Sequence, residues 1–530
     1  MTTDVARRAT TREWVGLAVL CLACLLYVMD LTILHLAVPS ISADLEPSST
    51  QLLWIIDIYG FFVAGSLITM GTLGDRVGRR KLLMIGAAGF GAVSVLAAFS
   101  SSAEMLIASR ALLGIAGATL APSTLSLIFA MFTDPRERSV AIGVWIGSFS
   151  AGSAIGPVLG GIMLEYFWWG SAFLVALPVM VALLVLGPRV LPEYRDPDAG
   201  RLDLPSAALS VAGVLAVIYG LKEIASTGVK PLPTAAIVLG LAIGAVFVRR
   251  QQRLEDPMID IRLFALRAFN AALAVNFLAI FVAVGYFLFI AQYLQLVSGM
   301  SPLEAGLWSL PSALGFIAGS QLAPRIVDRI PPHVLIGGGL AVAALGLLLL
   351  TQVPASSGVG TLIAASVIIS LGLAPVFGLT TELIVGSAPP ERAGAASGIS
   401  ETSAELGGAL GIAILGSVGV AIYRGRLDAA LPTDVPAEAT AAARDTLGAA
   451  GSVAEQLPEP IGSALLDAAR SAFVDGMHLT AWIAAVLAFV IAALAFTALR
   501  GHTNDSEPPG HGGESEPTDD RQREECLDPA

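Results

Sequence analysis

The stretch LCLACLLYVMDLTILHLAVPSI, residues Leu20–Ile41, is apolar almost throughout and long enough to cross a membrane as one helix. Its interior nevertheless contains a carboxylic acid, Asp30, and a histidine, His35. An ionised side chain at the centre of a membrane span costs about 2.5–3.5 kcal/mol on insertion scales, so one that persists usually faces a partner or an aqueous path. Asp30 is therefore a candidate functional residue, whereas His35 can equally be a residue of the lipid interface.

The rest of the chain is as apolar as this stretch. Hydrophobic residues make up 55% of the 530 positions and charged residues only 14%, with a mean hydropathy of +0.77. Soluble domains carry about 25% charged residues. About fourteen apolar runs of membrane-spanning length recur from Trp14 to Leu499. Since backbone polar groups in lipid must be satisfied within their own segment, the predicted fold class is an all-α, polytopic protein of the cell membrane.

The distribution of basic residues predicts the orientation. Cytoplasmic loops carry an excess of Lys and Arg, and most of the 30 basic residues fall in cytoplasmic segments if the N-terminus is inside. An even number of spans then places both termini in the cytoplasm. Cys21 and Cys24 lie in the first apolar run and Cys526 lies near the C-terminus, so we expect no disulfide, metal site or cofactor. The net charge of −12 comes largely from the acidic tail, and no nucleic-acid partner is expected.

Two parts of the chain resemble each other. The segment GATLAPSTLSLI, which contains Pro122, is echoed by LGLAPVFGLTTELI, which contains Pro375. The apolar runs that follow share three glycines at nearly the same offsets: Gly143, Gly152 and Gly156 in the first copy, and Gly398, Gly407 and Gly411 in the second. Transporters are commonly built from such repeats, with the substrate site between them.

The repeat predicts two six-helix halves with two further transmembrane helices inserted between them. The predicted organisation is a cytoplasmic N-terminus at 1–13, an N-terminal half at 14–190, two inserted helices at 205–249, a C-terminal half at 268–499 with a long outer loop at 424–475, and a disordered cytoplasmic tail at 500–530. The outer loop is rich in alanine, a strong helix former, and is expected to form a small helical pair over the outer mouth.

Four motifs resemble those of the major facilitator superfamily. GTLGDRVGRRKLL (Gly71–Leu83) looks like its G-x-L-a-D-r-x-G-r-k-x-x-l loop, and LIASRALLGIAGA (Leu106–Ala118) looks like its fourth-span motif l-x-x-x-R-x-x-x-G-x-x-x-a. GSAIGPVLGG (Gly152–Gly161) resembles the g-x-x-x-G-P-x-x-G-G motif of its antiporters. MDLTILHLAVP (Met29–Pro39) is similar to the L-D-x-T-x-x-N-x-A-L-P pattern of its fourteen-span drug:proton antiporters, with His35 in place of asparagine.

The resemblance extends over nearly the whole chain. Together with WIIDIYGFF (Trp54–Phe62), the pattern is most similar to exporters of quaternary ammonium compounds of the QacA/SmvA type. It implies the major facilitator fold with fourteen spans and a proton-driven multidrug efflux antiporter rather than an enzyme. The expected partners are protons, the lipid bilayer and amphipathic cations, including quaternary ammonium compounds, dyes and antibiotics, which a monomer would export by alternating access.

The first motif loop is a candidate gating element. Its residues are Gly71, Asp75, Arg76, Gly78 and Arg79. The glycines permit a tight turn. The charges either act as a positive-inside topology signal or make a contact that closes the cytoplasmic face in the outward-open state.

The glycine-rich antiporter motif is a candidate helix-packing element. Its residues are Gly152, Gly156, Pro157, Gly160 and Gly161. Small residues let two helices approach closely, and Pro157 adds a kink because it lacks a backbone donor. The resemblance implies that this helix lies between the halves and seals them against proton leak.

Asp30, Asp57 and Arg110 form the predicted proton-coupling group. At 1.5 Å per residue, all three lie ~9–10 Å from the outer ends of their spans and so share one depth. An Asp–Arg pair of this kind can simply tie helices together, or it can be a proton site whose affinity changes as Arg110 approaches or leaves. We favour the second interpretation, in which Asp30 is protonated from outside and deprotonated inside.

Glu401 and Glu405 are the predicted cation-binding acids. Their spacing of four residues places them on one helical face, and in the repeat they fall opposite Ile146 and Ser150, so only one half carries this acidity. The candidate aromatic walls, which would contact a cation through their ring faces, are Tyr59, Phe287, Trp308 and Phe377. An internal hydrogen-bonded pair of purely structural use is the alternative for the two glutamates.

Two other functions are compatible with parts of the pattern. An exporter of an endogenous lipid, antibiotic or siderophore would also need an apolar cavity with acids. A receptor or membrane enzyme is disfavoured, since the chain carries no G-x-x-x-x-G-K-[ST] loop for ATP and no catalytic constellation in its loops.

Overall fold

Every regular element in the described part of the chain is a helix. The structure is a computed structural model, and it describes residues 8–195, 203–254, 257, 261–327, 329–356, 358–387, 393–431 and 435–500. The predicted tail beyond residue 500 lies outside these residues. The all-helical fold class predicted from the sequence is confirmed.

The first ten helices run to residue 251. They are α1 (Thr11–Leu45), α2 (Ser49–Val77), α3 (Arg79–Ala98), α4 (Ala103–Gly117), α5 (Leu120–Met131), α6 (Pro135–Tyr166), α7 (Ser171–Leu174), α8 (Ala176–Val190), α9 (Leu204–Thr227) and α10 (Pro231–Gln251). The pairs α4–α5 and α7–α8 each form one apolar crossing with a short break inside it.

Nine more helices follow a 3₁₀ turn at Ile261–Ala265. They are α11 (Arg267–Gln292), α12 (Pro302–Ile326), α13 (Pro332–Leu350), α14 (Val359–Gly386), α15 (Ala393–Gly411), α16 (Ser417–Ala430), α17 (Ala437–Asp445), α18 (Leu447–Ala454) and α19 (Ile461–Ala498). A π-helical turn at Tyr293–Val297 ends α11, and a second one at Ile412–Gly416 joins α15 to α16.

Twelve helical segments in the described residues are long and apolar enough to cross a membrane. The 32-residue α6 and the 25-residue α12 are not among these twelve. Both nevertheless pack within the bundle, α6 against α1 and α12, and α12 against α14. Helices α9 and α10 pair with each other, and α9 contacts α2 and α16.

Glycines allow α6 to cross α1 at close range. A methyl group added at Gly152 would lie 2.7 Å from the carbonyl oxygen of Leu25. One added at Gly156 would lie 3.4 Å from Cα of Met29 and would also overlap the Thr32 hydroxyl. The antiporter motif therefore functions locally as a close-packing seam between α6 and α1.

Helix α15 crosses α11 in the same manner. A methyl group at Gly407 would lie 2.7 Å from the carbonyl oxygen of Phe277, and one at Gly411 would lie 2.3 Å from that of Phe281. These are the glycines that the sequence repeat aligned with the first seam. The repeat thus corresponds to a shared way of packing two helices.

The two parts of the chain before and after the α9–α10 pair meet near one end of the bundle. We call this the far end, where α1 finishes, and the opposite end, where α1 begins, the near end. The Gln295 side chain donates a hydrogen bond to the carbonyl oxygen of Leu36 at 2.9 Å. A methyl group at Gly161 on α6 would lie 2.8 Å from Cα of Leu303, at the start of α12. Backbones from both parts are therefore in contact at the far end.

Other glycines have open surroundings on the side where a side chain would stand. A methyl group added at Gly147 on α6, Gly378 on α14 or Gly398 on α15 would meet no described atom within 4 Å. The close contacts of the α6 glycines with α1 and α12 therefore lie between Gly152 and Gly161.

The short helices α17 and α18 lie at the far end, in the region where the sequence predicted a helical pair. The Tyr423 hydroxyl on α16 donates to the carbonyl oxygen of Ala443 at 2.6 Å. Arg424 donates to the Ser49 hydroxyl at 2.9 Å, and this hydroxyl donates to the carbonyl oxygen of Asp445. These bonds hold α17 against the ends of α2 and α16.

A polar clip joins the near ends of α9 and α10. Arg250 donates hydrogen bonds to both carboxylate oxygens of Asp203 at 2.8 Å, and Gln251 donates to the Ser206 hydroxyl at 2.8 Å. The hydrogen bonds from Arg250 lower the pKa of Asp203 from 3.8 to about 2. Because the folded-state pKa is depressed, the stabilisation from this carboxylate is complete above about pH 4 and is lost as the pH falls through about 2.

Gly152→Ala should destabilise the purified protein, because its methyl group would overlap the carbonyl oxygen of Leu25, and overpacking of this kind costs ~1–3 kcal/mol. Gly147→Ala, on the same helix, is the matched control and should be neutral or slightly stabilising. The measurement is the temperature at which half of the detergent-solubilised protein leaves the monodisperse peak in size-exclusion chromatography. Equal midpoints for the two variants would contradict a close seam between α1 and α6.

Candidate functional site

A buried ion pair connects α1 and α4 in the interior of the bundle. Nη1 of Arg110 lies 2.5 Å from Oδ2 of Asp30, and the two side chains are 0% and 8% exposed. Arg110 also donates from Nε to the carbonyl oxygen of Ile55 at 3.2 Å and from Nη2 to that of Ile56 at 3.4 Å. The guanidinium, which has five N–H donors and no acceptor, is therefore bound by a carboxylate and by the backbone of α2.

Glycines on α4 bring this arginine close to α2. A methyl group at Gly114 would lie 2.5 Å from the carbonyl oxygen of Tyr59, and one at Gly117 would lie 2.8 Å from the Tyr59 hydroxyl. Gly114 is the glycine of the R-x-x-x-G spacing in the fourth-span motif. The motif therefore combines an arginine with a glycine one helical turn later, and this glycine lets α4 approach α2 closely enough for the arginine to reach its partners.

Tyr59 covers the guanidinium from the side of α2. The Arg110 Cζ lies 4.8 Å from the centre of the Tyr59 ring and 6.0 Å from that of Phe173, within the range of cation–π attraction. Tyr59 was predicted as a wall for a substrate cation. In the structure the cation at its face belongs to Arg110.

Asp57 and His35 lie near the ion pair. Asp57 is buried on α2, directly after the two residues whose carbonyl groups bind Arg110. His35 is half-buried on α1 and lies within electrostatic reach of Arg110. No described atom forms a hydrogen bond with its Nδ1. The structure thus brings the three predicted proton-coupling residues into one region.

The two glutamates of α15 face α1. The Tyr27 hydroxyl donates a hydrogen bond to Oε1 of Glu405. Glu401 lies within electrostatic reach of Glu405, Tyr27 and Cys24. Both residues are half-buried, and the bond from Tyr27 turns the Glu405 side chain toward α1.

Tyr27 was not among the predicted site residues. Its position three residues before Asp30 places both on one face of α1. That spacing is the signal in the sequence that points to it.

The other three predicted aromatic walls lie in separate surroundings. Phe287 stacks on Tyr286 with ring centres 4.5 Å apart, and Phe377 packs on Phe316 at 6.0 Å. Phe287 and Trp308 are 40% and 45% exposed. The described ring contacts therefore do not join these residues to Tyr59 in one cluster.

An aromatic and polar cluster that sequence reasoning missed lies between α1, α5 and α6. The Trp145 indole donates to the Thr124 hydroxyl at 3.1 Å and meets Phe149 edge-on at 4.8 Å. The Thr124 hydroxyl also lies 3.5 Å from the Cys24 sulfur. Because Cys24 is within electrostatic reach of Glu401, this cluster is next to the acidic face of α15.

The predicted gating loop binds the end of α8. Gly78, with φ of +113°, forms the turn between α2 and α3. The backbone N–H of Arg79 donates to the carbonyl oxygen of Tyr194 at 2.8 Å, and Arg80 donates to that of Leu191 at 3.0 Å. These contacts stay within the N-terminal part of the chain.

The remaining loop residues show fewer contacts. A methyl group at Gly71 would lie 4.0 Å from Pro122, and Arg76 is half-buried. The side chain of Asp75 is not among those that the structure describes. Among the described residues, no three His, Cys, Asp or Glu side chains come together in a way that could hold a metal ion.

A bundle of apolar helices with buried carboxylates, a buried arginine and glycine seams defines a multi-pass membrane transporter. Residues 20–412 match the family model of the Major Facilitator Superfamily, and the chain belongs to that family. The family and the membrane location predicted from the sequence are thereby confirmed.

Relatives of known name are similar over most of the chain. The multidrug efflux pump LfrA of Mycolicibacterium smegmatis is 45% identical over 498 residues, which cover 94% of this chain and 98% of the relative. The methyl viologen resistance protein SmvA of Salmonella typhimurium is 36% identical over 469 residues, covering 87% and 93%.

A solved structure shares the fold. The inward-facing, unoccupied structure of a bacterial homolog of the human lysosomal transporter Spinster matches with a TM-score of 0.66 at 19% identity, covering 95% of this chain and all of the other. At this identity the similarity concerns the fold alone.

Proposed function

We propose that this protein is a proton-driven exporter of amphipathic cations that works as a monomer by alternating access. The observation that carries the proposal is the buried Asp30–Arg110 pair, which lies one helix away from two further carboxylates, Glu401 and Glu405. Its relatives LfrA and SmvA, named for multidrug efflux and methyl viologen resistance, support export of drug-like cations.

The proposed topology has fourteen spans with both termini in the cytoplasm. The twelve apolar segments and the two long packed helices α6 and α12 support this count. The equivalent seams of α6 on α1 and α15 on α11 support two six-helix halves, with α9 and α10 inserted between them. The excess of basic residues on one side supports a cytoplasmic near end.

With that orientation the described conformation is inward-open. The halves touch at the far, outer end through Gln295 and Leu36, and through Gly161 and Leu303. The pair α17–α18 then lies over the closed outer mouth.

The ion pair explains how Asp30 can exchange a proton without loss of the fold. In the described state Asp30 pairs with Arg110, as expected for an ionised carboxylate. Protonation of Asp30 removes that charge, but Arg110 keeps the carbonyl groups of Ile55 and Ile56 and the ring of Tyr59. The arginine therefore has partners in both protonation states, and Asp30 can cycle between them.

The glutamates supply the attraction for a cation. A positive charge beside Glu401 or Glu405 is stabilised more strongly than in water, because water is partly excluded there and the effective dielectric is low. The Trp145–Phe149 pair adds ring faces near the same acids. A flat, apolar cation fits these surroundings.

Asp30→Asn should abolish uphill export of every substrate while the protein remains folded and inserted, because the amide keeps the shape of the acid but cannot carry a proton. The measurement is ethidium export from proteoliposomes with an imposed pH gradient. Asp44→Asn, at the far end of the same helix, is the matched control and should retain export. Uphill export by Asp30→Asn at the wild-type rate would overturn the assignment of Asp30 as proton carrier.

Glu401→Gln or Glu405→Gln should weaken export of divalent cations more than export of monovalent ones. Coulomb stabilisation scales with the charge of the ligand and is amplified where water is excluded. The measurement compares the KM for methyl viologen, a dication, with the KM for ethidium, a monocation, in the same proteoliposomes. An equal rise in both values would indicate a proton site or a structural contact instead of a cation site.

Export of a monovalent cation should be electrogenic, because two acidic centres allow two protons to enter for each cation that leaves. That exchange moves one charge, worth ~2.3 kcal/mol per 100 mV. Ethidium export is measured from vesicles at equal pH on both sides, with a potential set by valinomycin that is negative inside. Methyl viologen is the control, since two protons for one dication move no net charge. If the potential drives no ethidium export, the cycle exchanges a single proton.

A further inference from the structure

Tyr27, at the middle of α1, makes a hydrogen bond between the two parts of the chain. Its hydroxyl donates to Oε1 of Glu405, so that α1 is joined to α15. The Tyr27 side chain is buried. The bond between Gln295 and Leu36, by contrast, lies at the far end. Tyr27 therefore joins the halves at the level of the proposed cation site.

The ring of Tyr27 is also in contact with the surroundings of the ion pair. Its centre lies 6.0 Å from that of the Tyr59 ring, at an angle of 47°. The Tyr59 ring lies 4.8 Å from the guanidinium of Arg110, which pairs with Asp30 at 2.5 Å. An unbroken series of contacts thus leads from Glu405 to Asp30.

Tyr59 has little room to absorb a displacement of Tyr27. Its side chain is fully buried, its hydroxyl lies over the bare backbone of Gly117, and its own carbonyl group lies over Gly114. Densely packed interiors transmit such displacements because they contain few voids. A movement of the Tyr27 ring is therefore passed to the side chain that covers Arg110.

The charged and titratable groups around this series come from four helices. They are Cys24, Tyr27, Asp30 and His35 on α1, Asp57 and Tyr59 on α2, Arg110 on α4, and Glu401 and Glu405 on α15.

We propose that Tyr27 is a positioning residue that links occupancy of the Glu405 carboxylate by a cation to the Asp30–Arg110 pair. The proposal rests on the proposed function, because it concerns the same two sites. A cation that binds Glu405 takes the oxygen to which the Tyr27 hydroxyl donates. Tyr27 is then released, its ring shifts against Tyr59, and Arg110 is held more firmly on Asp30, which disfavours the protonated acid. The proton leaves Asp30 for water at the open end.

Linkage between two sites is reciprocal, so a proton on Asp30 must weaken cation binding by the same factor that the cation weakens proton binding. In the described state Glu405 holds Tyr27 while Asp30 is already paired with Arg110, so the link acts on how firmly that pair is held and does not create it. Mutual exclusion of proton and cation is what keeps an exchanger from leaking either one.

Tyr27→Phe removes the hydroxyl and keeps the ring, so it tests the link. The readouts are the number of protons released per ethidium bound by purified protein in weakly buffered detergent solution, the ethidium Kd, and the KM and kcat of transport in proteoliposomes. We expect a Kd within about threefold of wild type, but proton release reduced by at least half and kcat reduced by about tenfold, since coupling energies are typically worth 5–150-fold.

Tyr293→Phe is the matched control. Tyr293 is equally buried, and its hydroxyl donates to the carbonyl oxygen of Pro354 at 2.6 Å at the far end of the bundle. The control loses one buried hydrogen bond of a tyrosine and should keep wild-type proton release and kcat. A stability effect alone would therefore appear in both variants.

Glu405→Asp provides a second test from the other partner. It keeps the negative charge but withdraws the carboxylate from the Tyr27 hydroxyl by one methylene. The same loss of proton release is expected. In the double variant Tyr27→Phe/Glu405→Asp, the loss should not exceed that of either single variant, because both break the same contact.

Three results would overturn the link. In the first, Tyr27→Phe behaves like Tyr293→Phe in every readout. In the second, Tyr27→Phe loses both ethidium affinity and transport, but proton release per ethidium bound is unchanged, as expected of a residue that only lines the pocket. Additive losses in the double variant would place the two residues in separate roles. If the wild-type protein itself releases no proton on binding ethidium, the proposed proton coupling fails. If the wild-type protein and Tyr27→Phe both release protons normally, the coupling stands and only the role of Tyr27 fails.

Discussion

The burial of one guanidinium inside a membrane bundle governs the rest of the interior. A charged arginine on an isolated helix is costly in lipid, and Arg110 is completely buried. Its position is possible because two helices supply partners to it: a carboxylate from Asp30 on α1, and two carbonyl groups and the ring of Tyr59 from α2. Each of these partners must sit within a few ångströms, so the crossing of α1, α2 and α4 is narrowly defined. The glycines of α4 at 114 and 117 satisfy that requirement, since any side chain there would push α2 away.

The same need for close approach explains why glycine motifs recur along the chain. In lipid the hydrophobic effect does not drive helices together, so association depends on backbone packing through small residues. A methyl group added at Gly152 or at Gly407 would lie 2.7 Å from a carbonyl oxygen of the facing helix. The repeat in the sequence is thus a repeat of contacts.

Much of the fold was predictable because it depends on local patterns. The length of the apolar runs predicted the helices, and short motifs within single helices or in the turn between two consecutive helices predicted the family, which the family match confirms. The meeting of Asp30 with Arg110 followed from a shared depth, since two opposite charges at one level in lipid have few other partners. Helix lengths were less predictable: α1 continues to Leu45 through Pro39, and α19 already begins at Ile461, within the predicted outer loop. Alanine-rich sequence can extend a helix beyond the bilayer without any change in apolar pattern.

Contacts between the halves could not be predicted, because they depend on how the two six-helix units are placed. The Tyr27–Glu405 bond joins residues 378 positions apart, and neither residue type in its own helix identifies the other. The predicted aromatic walls illustrate the same limit: the ring of Tyr59 contacts Arg110, whereas Phe287 and Trp308 are 40% and 45% exposed.

Helix α1 is the element on which both proposed sites depend. One of its faces presents Asp30 to α4, and Tyr27, three residues earlier, meets the acid of α15. The glycine seam of α6 holds α1 from a further side, and Gln295 binds its far-end backbone. A small rotation of α1 would therefore alter the carboxylate that holds a proton and the one that faces a cation at the same time. For an exchanger, that arrangement places both ligands under the control of one rigid body, so neither site needs to change its own side-chain geometry independently of the other.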